Sequence, residues 1–136
     1  MKNIFVYGTL MFDEVWQQLT PNRYSKIDAD LADYIRLTVK GEHYPGIIPS
    51  EGNRVSGELI LNVSTEDIKQ LDIFEGEYYR REQVTILSGE SPYSAETYVF
   101  RKRYQSLLSD DEWEAETFKN CGLSSFLASY DNFYRK

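Results

Sequence analysis

Glu75 and the segment Tyr7-Gly8-Thr9-Leu10 are the places in this sequence where residue type and spacing point to chemistry. Ile68, Leu71 and Glu75 stand at i, i+3 and i+7, and in a helix such residues share one face. Two of the three are apolar and belong against a core. Glu75 is therefore expected on the last turn of a short helix, facing inward, just before Gly76. Burial disfavours the charged form of a carboxylate and raises its pKa. Asp72 pushes the same way if both side chains face inward. A tenfold change in proton affinity corresponds to about 1.4 kcal/mol between the two protonation states. A carboxylate lifted toward neutrality both takes and returns a proton near pH 7. The opposite outcome is a helix already frayed at Glu75, with the carboxylate in water. In Tyr7-Gly8-Thr9-Leu10, an apolar run stops at a glycine and backbone N–H groups follow before a helix can begin. Such a turn makes a concave set of donors for an anion or oxyanion. Glycine lets a ligand approach the backbone closely. An ordinary strand-ending turn uses the same residue types.

Other side chains carry less. Tyr44 and Tyr79 either donate hydroxyls into a pocket or serve as amphipathic core residues. His43, in a Gly-Glu-His-Tyr-Pro-Gly loop, reads as surface or pocket rim rather than as a catalyst. Arg81 reads as half of a structural ion pair. Cys121, between Asn120 and Gly122, reads as an unreactive residue in a turn between helices; Trp113 and Phe118 read as core, or as cover for the last helix. Asp72 and Glu75 make a poor hydrolytic pair, because carboxylates three residues apart on one helix are too close to flank a bond with a water between. One cysteine and one histidine exclude an intramolecular disulfide and a Cys-rich zinc site, and leave a Ser-His-Asp triad remote. No metal and no cofactor are expected.

The elements that must position these residues follow from pattern. Ile4 to Tyr7 reads as a buried first strand. Phe12, Val15, Trp16 and Leu19 fall at helical spacing across Met11 to Leu19. Ile27, Ala29 and Leu31 alternate with acidic residues as a half-buried strand, and Tyr34 to Val39 is extended too. Gly41 to Gly52, with Pro45, Gly46 and Pro49, reads as a loop. Val55 to Val63 reads as a strand. Ser64 and Asp67 have capping-box spacing at a helix start, and early acidic residues suit the positive end of the dipole. Gly76 is placed to stop that helix in a left-handed conformation. Tyr79 to Leu87 and Ala95 to Phe100 are strands, joined by a turn-rich Ser88 to Ser94. Ser109-Asp110-Asp111-Glu112 is expected to open another helix by the same capping logic. Phe126, Leu127, Tyr130, Phe133 and Tyr134 form one face of a final helix. Strands and helices do not alternate strictly, so an α+β domain with a curled, mixed sheet fits better than a doubly wound one.

Bulk properties narrow the function. The 136 residues fit one domain, 1–136. A net charge of −7, with basic runs as short as Arg80-Arg81 and Arg101-Lys102-Arg103, argues against nucleic acid and anionic membranes as partners. The 11 tyrosines point to a core with polar handles inside it. No apolar run suits a signal peptide or a membrane span, so the reading is a soluble cytoplasmic protein.

Several motifs occur together in a characteristic order: Phe5-Val6-Tyr7-Gly8-Thr9-Leu10, then Tyr44-Pro45-Gly46, Val55-Ser56-Gly57-Glu58-Leu59, Leu71-Asp72-Ile73-Phe74-Glu75-Gly76, Tyr79-Arg80-Arg81 leading to Val84 and Ile86, and Ala95-Glu96-Thr97-Tyr98-Val99. In this the chain resembles the gamma-glutamylcyclotransferase-like family, and within it the small bacterial and plant branch that includes gamma-glutamylamine cyclotransferases. The resemblance runs from residue 4 to about residue 100, and more loosely beyond. It implies a compact α+β barrel-like fold with a cavity at one end. It also implies a reaction in which a γ-glutamyl amine or small γ-glutamyl peptide cyclises to 5-oxoproline and releases its amine. By resemblance Glu75 falls on the catalytic glutamate, and Tyr7, Gly8, Thr9 and Leu10 on the substrate-binding loop. The residues agree: the substrate's own amine is the nucleophile, so no protein nucleophile and no metal is needed. The competing expectation is a non-catalytic module that binds a small anionic metabolite in the same pocket.

Overall fold

Ile4, Phe5 and Val6 form an unbroken apolar run because strand β1 (Lys2–Val6) is covered on both faces. Ile4 and Val6 pack in one cluster with Ile68 and Leu71 of a helix; Phe5 and Tyr7 pack in another with Leu31, Ile47, Leu59, Ile86 and Val99. The second cluster draws residues from five strands and is the interior of a barrel. The computed structural model describes the backbone of residues 1–134 and the side chains of residues 1–128.

The other strands are β2 (Lys26–Val39), β3 (Pro45–Val63), β4 (Tyr79–Ser88), β5 (Ser91–Phe100) and β6 (Leu108–Glu112). They pair in the order β3-β1-β5-β4-β2-β6, and an added β3–β2 pairing closes the first five into a ring with β6 outside on β2. The β1–β5 pair is parallel and the others are antiparallel, giving the mixed barrel expected from the sequence. The helices are α1 (Asp13–Trp16), α2 (Thr65–Glu75), α3 (Ala115–Thr117) and α4 (Leu123–Tyr134).

Three expectations need correction. Residues 45–52 are not a loop but the first part of β3: Ile47 pairs with Arg36, Ile48 with Ile35, and Ile47 is fully buried. Pro45, Gly46 and Pro49 break strands as isolated residues, yet pairing along β2 and burial of Ile47 override that tendency. Strand β2 is continuous across a register shift between Ala32 and Tyr34, where Asp33 takes φ 64° and accepts the Gly52 N–H at 3.0 Å. Ser109 to Glu112 is strand β6, not a helix. The Ser109 hydroxyl does accept the Asp111 N–H at 3.1 Å, but this local bond also suits extended chain, and β2 offers an edge where Leu37 meets Glu112 and Val39 meets Leu108. Cys121 does not lie in a turn between helices. The chain stays helical from α3 through a π turn at Phe118–Gly122 into α4, with Cys121 exposed.

Smaller adjustments affect the ends of elements. The Met11 to Leu19 helix is split into a 3-10 turn at Thr9–Met11 and the single turn α1. The β4–β5 hairpin is tight, with β5 beginning at Ser91. Tyr130, Phe133 and Tyr134 lie in α4 but outside the described side chains, whereas Phe126 and Leu127 pack on the core as expected. Trp113 and Phe118 are buried.

Candidate active site

Helix α2 is built as its sequence suggests. The Ser64 hydroxyl accepts the Asp67 N–H at 3.2 Å, and Glu66 and Asp67 stand in the first turn. Ile68 and Leu71 are buried, which turns the Glu75 side of the helix toward the barrel end. The helix stops at Gly76, which has the positive φ anticipated (75°) but an extended ψ of −162° rather than a left-handed helical one. That sharp exit carries the chain into β4 at Tyr79.

Glu75 lines a cavity of about 570 Å³. The same cavity is lined by Tyr7, Gly8, Thr9, Leu10, Tyr44 and Tyr79, so all seven candidates meet in one place. They come from four stretches of chain: the exit of β1, the β2–β3 connection, the end of α2 and the start of β4. Glu75 keeps part of its surface accessible because it forms cavity wall. It makes no hydrogen bond or ion pair among the described residues. Burial within the cavity pushes its carboxyl up to about 8, and the negative charge of Asp72 adds to this. The helix has not frayed into water.

Asp72 is tied to the sheet. Its Oδ1 accepts from Arg81 Nε at 3.0 Å and from Tyr98 Oη at 2.6 Å. Arg81 is therefore a structural partner, as its position suggested, and it also pairs with Glu96. Lys2 holds the other oxygen of Glu96 at 2.9 Å.

The tyrosines divide by what their hydroxyls do. Tyr7 Oη donates to the Tyr98 carbonyl at 2.5 Å, and Tyr79 Oη donates to the Pro45 carbonyl at 2.6 Å. Both are buried, and burial raises their pKa values, with the Glu75 charge adding to each. Their protons are already engaged, so they brace the wall. The Tyr44 hydroxyl makes no hydrogen bond among the described residues. Burial, then the charges of Glu42, Tyr78 and Glu75, push it up to about 12, which keeps it a donor at neutral pH.

The Tyr7–Leu10 loop is pinned from beneath. Arg36 Nη1 donates to the Tyr7 carbonyl at 2.7 Å and to the Ser56 carbonyl at 3.0 Å. Its guanidinium lies 5.3 Å from the Trp113 ring centroid, a cation–π distance. Beyond Gly8 the turn is closed by Met11 N–H to Gly8 C=O (3.0 Å) and Phe12 N–H to Thr9 C=O (3.1 Å). Those bonds leave the Gly8, Thr9 and Leu10 N–H groups unused by the turn. A side chain at residue 8 has no room, since a Cβ there meets Pro45 Cγ at 2.8 Å.

Sequence reasoning missed Arg36, Tyr98, Phe74 and Phe126. Arg36 carried a signal: a lone arginine between Ile35 and Leu37 in an extended apolar segment. Tyr98, Phe74 and Phe126 line the cavity but look like ordinary core aromatics in sequence. His43 lines the rim, as anticipated; it is exposed, and its carbonyl accepts from Trp113 Nε1 at 2.8 Å. Among the described residues, no group of three or more His, Cys, Asp or Glu side chains is placed to hold a metal ion. Among them, too, no helix is long and apolar enough to cross a membrane.

Comparison with known proteins bears on this cavity. A family model described as gamma-glutamyl cyclotransferase, AIG2-like, matches residues 4–115. AIG2-like protein D of Arabidopsis thaliana is 33% identical over 136 residues, covering 98% of this chain and 89% of its own. AIG2-like protein A of the same plant is 26% identical over 132 residues, covering 96% and 79%. An Arabidopsis thaliana protein solved in solution superposes with a TM-score of 0.71 at 26% identity, covering 98% of this chain and 91% of that one. A mouse AIG2-like protein superposes at 0.65 with 22% identity, covering 85% and 90%, and shares the fold.

Proposed function

The chain belongs to the AIG2-like gamma-glutamyl cyclotransferase family, and from that premise we propose that it converts a γ-glutamyl amine or small γ-glutamyl peptide to 5-oxoproline and free amine, with Glu75 as general acid and base. The observation that carries this reading is the position of Glu75: a carboxylate without an ion-pair or hydrogen-bond partner among the described residues, in the wall of the cavity that the Gly8, Thr9 and Leu10 backbone also lines.

The reaction asks little of the protein beyond placement and proton transfer. The substrate's α-ammonium gives a proton to the Glu75 carboxylate. The freed amine attacks the γ-carbonyl carbon of the same molecule, a C–N bond forms, and the carbonyl electrons move onto oxygen. Collapse of that oxyanion breaks the bond to the leaving nitrogen, which takes its proton from Glu75. Two protons leave the α-nitrogen in all and two reach the leaving nitrogen, which departs as an ammonium. One carboxylate with a pKa of about 8 serves both directions of transfer. The attack is intramolecular, so holding the glutamyl chain curled supplies much of the rate. The loop N–H groups hold the substrate carboxylate or stabilise the oxyanion; either use suits donors set in a buried turn. Tyr44 supplies a further donor.

The test is release of 5-oxoproline from a panel of γ-glutamyl compounds by wild type and Glu75→Gln. The variant keeps the shape and loses the base. The expected fall is roughly 10²–10⁴-fold with the fold intact. Full activity in the variant rules out the role given to Glu75.

A further inference from the structure

The cavity is graded in exposure. Tyr7, Tyr79 and Pro45 are buried; Tyr44, Phe74 and Phe126 are half-buried; Glu42 and Glu77 at the rim are exposed. On the cyclotransferase reading, the glutamyl group must reach Glu75 and the loop amides, so it takes the buried end. The substituent on the amide nitrogen then points toward the half-buried aromatic end, which is also its way out.

Phe126 lines that end. Its ring meets Phe74 edge-on at 6.0 Å, Tyr44 at 6.4 Å and Phe118 at 5.7 Å, with interplanar angles of 72°, 70° and 74°. Phe118 is itself held by Trp113 at 5.7 Å and by Phe12 at 5.1 Å. Phe74 precedes Glu75 and Tyr44 precedes Pro45, so one ring bridges two of the segments that line the cavity. It comes from α4, beyond residue 115 where the family match ends. The three rings offer an apolar wall, and edge contacts on three sides keep Phe126 from swinging aside.

We propose that Phe126 is a specificity-determining residue, building with Tyr44 and Phe74 a subsite for the amide substituent that takes a slim apolar stem and turns away branched or ring-bearing ones. This rests on the cyclotransferase reading for the direction in which the substrate lies. Its energy source is burial of the stem's apolar surface.

The experiment uses γ-glutamyl methylamide, n-butylamide and cyclohexylamide. Turnover is measured for wild type, Phe126→Ala, Phe126→Leu and Phe126→Trp. Binding is measured by calorimetry in Glu75→Gln, alone and combined with Phe126→Ala. Wild type is expected to favour n-butyl over cyclohexyl by tenfold or more in kcat/KM. Phe126→Ala and Phe126→Leu narrow that gap to threefold or less, and Phe126→Trp extends the exclusion to n-butyl. The binding series follows the same order. A merely structural role changes all three substrates alike, and an unchanged ratio in every Phe126 variant overturns the inference while turnover persists. Binding in the expected order without 5-oxoproline release supports the subsite and removes the cyclotransferase reading. If no amide binds or reacts, both fall.

Discussion

At the scale of single residues, the proposed proton chemistry turns on Glu75 and on what surrounds it. Its carboxyl holds a proton up to about 8 in the fold, against an ordinary value of 4.5. For a γ-glutamyl substrate, kcat/KM is expected to rise with pH through a limb near 8, because the free enzyme's base must ionise first. Asp72 raises that value by its charge, so Asp72→Asn moves the limb to lower pH, and Arg81, left without Asp72, pushes the same way. A pH profile that does not move would show that Asp72 does not tune the base. Stability follows from the same numbers. Between 4.5 and about 8 the folded state binds more protons at this position than the unfolded state, so stability falls as pH rises through that window. Glu75→Gln removes this slope, at most about 1.4 kcal/mol per pH unit. Its Tm should exceed that of wild type at pH 8.5, with the difference closing toward pH 4. The inward direction of Glu75 was legible from the spacing of Ile68, Leu71 and Glu75. That Asp72 rather than Glu75 takes the Arg81 and Tyr98 bonds was not, because those two residues reach it from distant strands.

Among the elements, α2 was the most legible and also aims the carboxylate. Its start and its stop act differently. Ser64→Ala removes the hydroxyl that accepts the Asp67 N–H, which costs about 1 kcal/mol, or roughly 3–5 °C in Tm. That end lies three turns from Glu75, so kcat is expected to hold. Gly76 sits at φ 75°, ψ −162°, a region closed to residues with a Cβ. Gly76→Ala is expected to cost about 1–3 kcal/mol and to lower kcat as well, since relief of strain there shifts Glu75. Thermal unfolding and steady-state kinetics on the two variants separate cap from aim. The two misread elements have one cause. Residues 45–52 and 108–112 carry local signals for turn or helix, yet each becomes strand because β2 lies open beside it.

At the scale of the whole molecule, closure of five strands brings the β1 exit, the β2–β3 connection, the end of α2 and the start of β4 to one mouth. Binding there should stabilise the fold by mass action. A γ-glutamyl amide at a hundred times its Kd adds about 2.7 kcal/mol, a Tm rise on the order of 10 °C in Glu75→Gln, which leaves the ligand intact. Free alkylamine should give none of it. The same rise in wild type without 5-oxoproline release would instead favour a binding module.

The sequence alone determined the strand pattern of β1 and the second half of β3, the cap and stop of α2, the inward face of Glu75, and the ordered motifs that marked the family. These depend on periodicity and local bonding within a few residues. The tertiary structure alone decided that residues 45–52 and 108–112 are strands, that Arg36 pins the loop, that the Tyr7 and Tyr79 hydroxyls donate to the Tyr98 and Pro45 carbonyls, and that Phe126 walls the cavity. Each of these is settled by a partner far away in the chain, with Tyr7 and Tyr98 separated by 91 residues and Tyr79 and Pro45 by 34. No local pattern encodes such a pairing; it exists only once the barrel has closed.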